Sequence, residues 1–143
     1  MVGFVREVKR GGTTGESCNC RAKGKTQVDA HIELVLDPNN HARSGKGMVV
    51  VEVQERIRRL AAHGLLQSNI GNDWSTATLR ARLLGRWVKF SGWLFYDPDH
   101  HTEAWRVDPQ DNKGRRNWRE TGWEIHPVMA IETGVTPPAD AVR

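Results

Sequence analysis

Between Trp87 and Tyr96 the chain reads WVKFSGWLFY, an almost unbroken run of aromatic, aliphatic and β-branched residues around one central glycine, Gly92. Such residues suit a pleated, packed surface, and the run is followed at once by turn chemistry in Asp97-Pro98-Asp99. It reads as a long strand over Trp87–Tyr96. A glycine inside a strand marks a bulge or a sharp bend, so the sheet that holds this segment has to bend at Gly92.

Other segments share the strand period of two. Met1–Val8 is a short apolar strand carrying Val2, Phe4, Val5 and Val8. In Asp29–Asp37, Ala30, Ile32, Leu34 and Leu36 alternate with Asp29, His31 and Glu33, which predicts a strand buried on one face only. Met48–Val53 is a β-branched run, and Thr121–Glu132 a last strand with Trp123, Ile125, Met129 and Ile131 on one side. Pro127 interrupts that strand and implies an edge, a bulge or a register change. Between the third and fourth strands the period changes. Ile57, Leu60, Ala61 and Leu65 recur at helical spacing, and Ser75 can cap a second short helix ending near Gly85. Residues 97–120 form a long polar segment without periodicity, the kind of loop that is often functional.

The chain of 143 residues is one domain's worth, expected as a barrel domain over residues 1–132 and a tail over 133–143. No run approaches the ~18 apolar residues of a membrane span. The opening MVGFVREVKR lacks the apolar core of a secretory signal, so a cytoplasmic location without membrane contact is expected. Lys plus Arg number 21 against 17 Asp plus Glu, a net +4, which makes the distribution of charge more informative than its sum.

The order strand, strand, strand, helix, strand, strand, with a glycine inside the fourth strand, resembles an OB-fold, the five-stranded Greek-key barrel. The fold class expected is therefore all-β with minor α: an OB-like barrel with one or two helices between strands three and four, with Ile32, Leu34, Val51, Leu94, Ile125 and Ile131 inside. The phrases DAHIEL, VKFSGWLFYD and WEIHPVMAIE also look like uncharacterised bacterial OB-like proteins.

The resemblance implies a ligand held by strands two and three and by the loops joining strands one to two and four to five. The first loop holds Arg21, Lys23 and Lys25; the second holds Lys113, Arg115, Arg116 and Arg119 around Trp118, with Trp105 nearby. Cations attract phosphates and an exposed Trp stacks a base. The leading expectation is thus a binding module for single-stranded nucleic acid or another phosphate-bearing ligand. Asp97, Asp99, Glu103, Asp108 and Asp111 share the second loop and argue for a mixed-charge solvated surface instead.

A second class stays open. Asp29 and His31 lie on the polar side of strand two, and Glu124 and His126 in strand five; a barrel can bring these ends together. Two histidines with two carboxylates suit acid–base work or metal-assisted phosphodiester hydrolysis. A protein-interaction barrel is the third reading, with a protein as partner. No cofactor or metal is assigned: Cys18 and Cys20 supply only two thiolates, and Asp97-Pro-Asp-His-His is explained by a turn. Ser44-Gly-Lys-Gly47 lacks the glycine spacing and the following helix of a phosphate loop. Trp87, Trp93 and Trp123 fall in strands, so packing is their default role, and Trp74 is expected to pack as a lid.

Overall fold

The computed structural model describes residues 1–12, 24, 27–40, 46–107, 117–139 and 141. Its elements follow in chain order: β1 (Val2–Arg10), β2 (Ala30–Val35), β3 (Met48–Val53), α1 (Glu55–Ala62), β4 (Gln67–Ser68), α2 (Thr76–Leu83), β5 (Trp87–Tyr96), a 3-10 turn at His101–Glu103, and β6 (Trp123–Thr133). Five strands close into a barrel in the order β3-β2-β1-β5-β6, with β6 returning to β3 in parallel through Val50–Glu124 and Val51–Ile125; β4 lies outside, paired to β6. This is the OB-like class expected, with the two helices between β3 and β5. No helix among the described residues is long and apolar enough to cross a membrane.

Val5 and Val8 are three apart, an odd spacing that would send them to opposite faces of a regular strand. A register shift between Val5 and Glu7 brings both into the core. They meet Ile32, Leu34, Val51, Ile125 and Ile131 there. α1 closes one end with Ile57 and Ala61, four apart, and α2 packs on β1 with Leu79 and Leu83 buried at the same spacing. Ser75 Oγ accepts from the Thr78 N–H at 3.3 Å, the cap the sequence predicts. Gly85, with φ of +72°, takes the left-handed conformation that ends α2. Trp74 is buried, its indole N–H donating to the Gly71 carbonyl at 3.1 Å.

Two expectations fail in instructive ways. β2 is buried on both faces, not one. The described parts of the 97–120 segment lie over its outer side, the Trp118 ring against His31 at a centroid distance of 5.7 Å and the Glu120 N–H bonded to the Met48 carbonyl of β3 at 2.8 Å. Under it Val35, Met48 and Val50 pack with Phe4 and Trp118. Leu94, expected inside, is 71% exposed, and Trp93, Trp123 and Met129 are exposed too. The cause is the length of β5. It pairs with β1 only through Trp87, Val88 and Lys89, Phe90 exchanges hydrogen bonds with Met1 just before β1, and from Ser91 onward it pairs with β6 alone. Residues 93–95 therefore stand on a two-stranded ribbon beyond the barrel body. The bend at Gly92 is real: the β5–β6 register shifts on both sides of it, opposite Pro127.

Candidate functional site: a buried histidine–carboxylate cluster

The polar residues of β2, β3 and β6 share the outer side of the barrel wall by strand alternation. His31 in β2 stands opposite Glu52 in β3, and the parallel pairing of β3 with β6 sets Glu124 beside Val50. Glu52 is consequently flanked by both histidines. Its Oε1 lies 3.6 Å from His31 Nδ1 and its Oε2 3.2 Å from His126 Nδ1. The same His126 Nδ1 is 2.9 Å from Glu124 Oε1, while its Nε2 meets the Gln54 side chain. Ligand atoms of Glu52, Glu124 and His126 all fall within 4.8 Å of one another, close enough to share one metal ion.

Ion pairs continue outward from Glu124. Arg119 is 1% exposed and donates to Glu124 Oε2 at 3.0 Å, to Asp97 Oδ2 at 2.7 Å and to the Thr121 carbonyl at 2.7 Å. Asp97 Oδ2 is also 2.7 Å from His100 Nδ1. A cavity of about 320 Å³ opens over the cluster, with His31, Glu52, Asp97, His100, Trp118 and Arg119 among its walls. Asp29 is fully buried at the foot of β2, and Gly11 packs so tightly on it that a β-carbon there would run into the carboxylate.

Burial separates the protonation of the two cavity histidines. Desolvation dominates at His31 and, helped by the Lys9 charge, brings it down to about 4 against the pull of Glu33 and Asp29, so it is neutral near pH 7. Its Nε2 is buried and has no hydrogen-bond partner among the described residues. His100 moves the other way, raised chiefly by its hydrogen bond to Asp97. Burial would lower His126, but the hydrogen bond to Glu124 and the charges of Glu52, Glu124 and Asp29 outweigh it and raise it.

Of the residues named from sequence, His31, Glu124 and His126 are thus brought to one cluster, and Asp29 acts on both histidines through its charge. Arg21, Lys23, Lys25, Lys113, Arg115 and Arg116 lie outside the described residues. Trp118 is half-buried, its ring against His31 and His100 at centroid distances of 5.7 and 5.2 Å and its N–H donating to Glu103. It is a cavity wall, not an open stacking platform. Trp105 is half-buried as well. Arg119, expected as a phosphate contact, has its guanidinium filled by two carboxylates and a carbonyl, and so leaves the set of surface cations. Glu52, Gln54, Asp97 and His100 are the members sequence reasoning passed over. Glu52 had one signal, a lone acid inside the apolar run MVVVEV, since a charge seldom sits in such a strand unless it is paired. No protein-family model matches the chain, and no curated protein or solved structure matches it either.

Proposed function

We propose that the chain is a metal-assisted phosphodiesterase, with Glu52, Glu124 and His126 holding one divalent cation at the wall of the cavity. The convergence of those three side chains, with His31 against the other oxygen of Glu52, carries the reading. Two carboxylates and one imidazole suit Mn²⁺ or Zn²⁺. A cation held by these residues would supply acidity to a water and charge neutralisation to a phosphoryl oxygen. His31, held neutral by burial and with Nδ1 turned to Glu52, would accept the water proton as the water oxygen bonds to phosphorus. His100, whose charge Asp97 supports, returns a proton from Nε2 to the oxygen that departs as the ester P–O bond breaks. Arg119 holds Glu124 and Asp97 in place, so it positions one cation ligand and the partner of the general acid together.

The test is hydrolysis of bis(p-nitrophenyl) phosphate by the full chain after EDTA treatment, with Mn²⁺, Zn²⁺ or Mg²⁺ added back. Metal-dependent release of p-nitrophenolate is expected, with Glu52→Gln reduced at least 100-fold while its circular dichroism is unchanged. No turnover with any of the three ions, or full activity in Glu52→Gln, sinks the proposal.

A further inference from the structure

We infer that the chain forms a two-fold symmetric dimer through the free edge of β5. Residues 92–96 of one copy pair antiparallel with the same residues of a second copy, with Leu94 on the axis, and the two β5–β6 ribbons join into one four-stranded sheet.

The edge is open and unguarded. β5 lies between β1 and β6, but its pairing with β1 ends at Lys89, and Met1 takes the hydrogen bonds of Phe90. Among the described residues the backbone of 91–96 pairs with β6 alone. The N–H and C=O groups on its other side are a template for a further strand, and proteins ordinarily blunt such an edge with lysine, proline or a bulge. Residues 91–96 read SGWLFY, with no charge and no proline. The register shifts around Gly92 put the extra residues in β6: it runs from Ala130 to Val128 while β5 goes from Ser91 to Gly92, and from Val128 to Ile125 while β5 goes from Gly92 to Leu94. β5 itself therefore continues as regular strand. Successive side chains alternate in direction, and Trp93, Leu94 and Phe95 are 69%, 71% and 40% exposed, so the ribbon is apolar and uncovered on both faces. Two strands alone are marginal, and additional strands stabilise them.

A second copy is the occupant because the edge is complementary to itself. About a two-fold axis a strand meets its own sequence reversed. With Leu94 on the axis, Leu94 faces Leu94, Trp93 faces Phe95 and Gly92 faces Tyr96 of the other copy. Directly opposite residues share a face, so an aromatic pair forms on either side of the axis, and the large Tyr96 ring falls beside a residue with no side chain. The same register sets Lys89, five residues before Leu94, level with Asp99, five residues after it. Both are exposed, and the Asp99 carboxylate has no ion-pair partner among the described residues. In a chain of net +4, this contact has an uncharged centre and opposite charges at its two ends. The approach is clear as well. The Asp97 N–H bonds the Gly122 carbonyl at 2.9 Å, which turns the chain toward the β6 side and away from the free edge. The far side of β6 is taken by β3 and β4, so pairing closes at two copies and does not extend into a filament. Aromatic side chains bury roughly 150–250 Å² each, a modest patch beside the about 800 Å² per partner of a standard interface, so a dimer that dissociates in the micromolar range is expected. The barrel core is complete within one copy, and substitutions on the ribbon leave the dilute monomer folded.

The dimer is independent of the phosphodiesterase reading, and its test uses neither metal nor substrate. Sedimentation velocity of the full chain in EDTA, from micromolar to submillimolar concentration, should show a monomer–dimer equilibrium. Leu94→Lys sets two like charges against each other on the axis and should raise the dissociation constant at least about tenfold, with circular dichroism unchanged. Lys89→Glu should weaken the dimer too, and adding Asp99→Lys to it should restore the association, an exchange specific to this register. In a chain carrying Cys18→Ser and Cys20→Ser, Leu94→Cys should form disulfide-linked dimers with oxidised glutathione. A monomer at every concentration would leave the edge to an extended peptide of another protein and overturn the inference. A dimer indifferent to Leu94→Lys would place the contact elsewhere on the chain and overturn it as well. So would a Leu94→Cys chain that dimerises but does not crosslink.

Discussion

Glu52 in β3 and His126 in β6 meet at 3.2 Å across the one parallel pairing that closes the barrel. Their contact joins two strands far apart in sequence, and it draws His31 into the same cluster through the other oxygen of Glu52. Barrel closure and site assembly are therefore one event.

A cation held by Glu52, Glu124 and His126 should stabilise the folded chain by mass action. At a free concentration of 100 times its dissociation constant the gain is about 2.7 kcal/mol. Differential scanning fluorimetry should show Tm rising with added Mn²⁺ in the wild type and staying flat in Glu52→Gln. Equal shifts in both would place the ion elsewhere.

Arg119→Met leaves Asp97 and Glu124 facing each other's charge without the cation between them. Removing one member of a buried ion pair costs about 3–5 kcal/mol, and urea denaturation should show a loss of that order. A urea midpoint unchanged in Arg119→Met would show that the ion pairs of Arg119 do not hold the fold.

Asp97 and His100 set a pH window. Burial alone would raise Asp97, but the bond from His100, the charges of His100 and Arg119 and the Asp99 N–H outweigh it and hold the carboxyl at about 2. Its folded value is depressed, so its contribution is complete above the ordinary 3.8 and is lost as pH falls through about 2. His100 is raised, so its contribution is complete below the ordinary 6.5 and is lost as pH climbs through the folded value. Urea midpoints should be highest for this pair between about pH 4 and 6.5. Asp97→Asn should lose less stability than the wild type between pH 5 and 2; an identical acid limb in both proteins contradicts the assignment.

Gly92→Ala should be costly although the residue is on the exposed ribbon. A β-carbon there would sit 2.8 Å from Ile125 Cγ2 and closer still to the Pro127 carbonyl. Forced packing of this kind costs about 1–3 kcal/mol, to be read from the chemical denaturation midpoint. An unchanged midpoint would mean that the β5–β6 ribbon opens there freely.

Leu94 and Ile125 are paired in register yet differ in environment. Leu94→Ser should change stability by no more than about 0.5 kcal/mol, whereas Ile125→Ala should cost about 2–5 kcal/mol. The reverse ranking would put Leu94 back in the core.

The five barrel strands, both helices and the ends of α2 were legible in the residues, because alternation, the Ser75 cap and Gly85 act over a few neighbouring positions; β4 was not, since two residues carry no period. So was the grouping of Asp29 with His31 and Glu33, and of Glu124 with His126, since a period of two assigns residues to a common face. Local pattern says which side chains share a face but not what covers it. Tertiary structure alone decided that the polar face of β2 is buried under the described parts of the 97–120 segment, that Trp93 to Phe95 project on a ribbon where β5 outruns β1, and that Arg119 is an internal ion-pair partner. Glu52 shows the reason most directly. Its neighbours in β3 point to a strand, whereas its role comes from His31 and His126, and those arrive only when distant strands pair and the barrel closes.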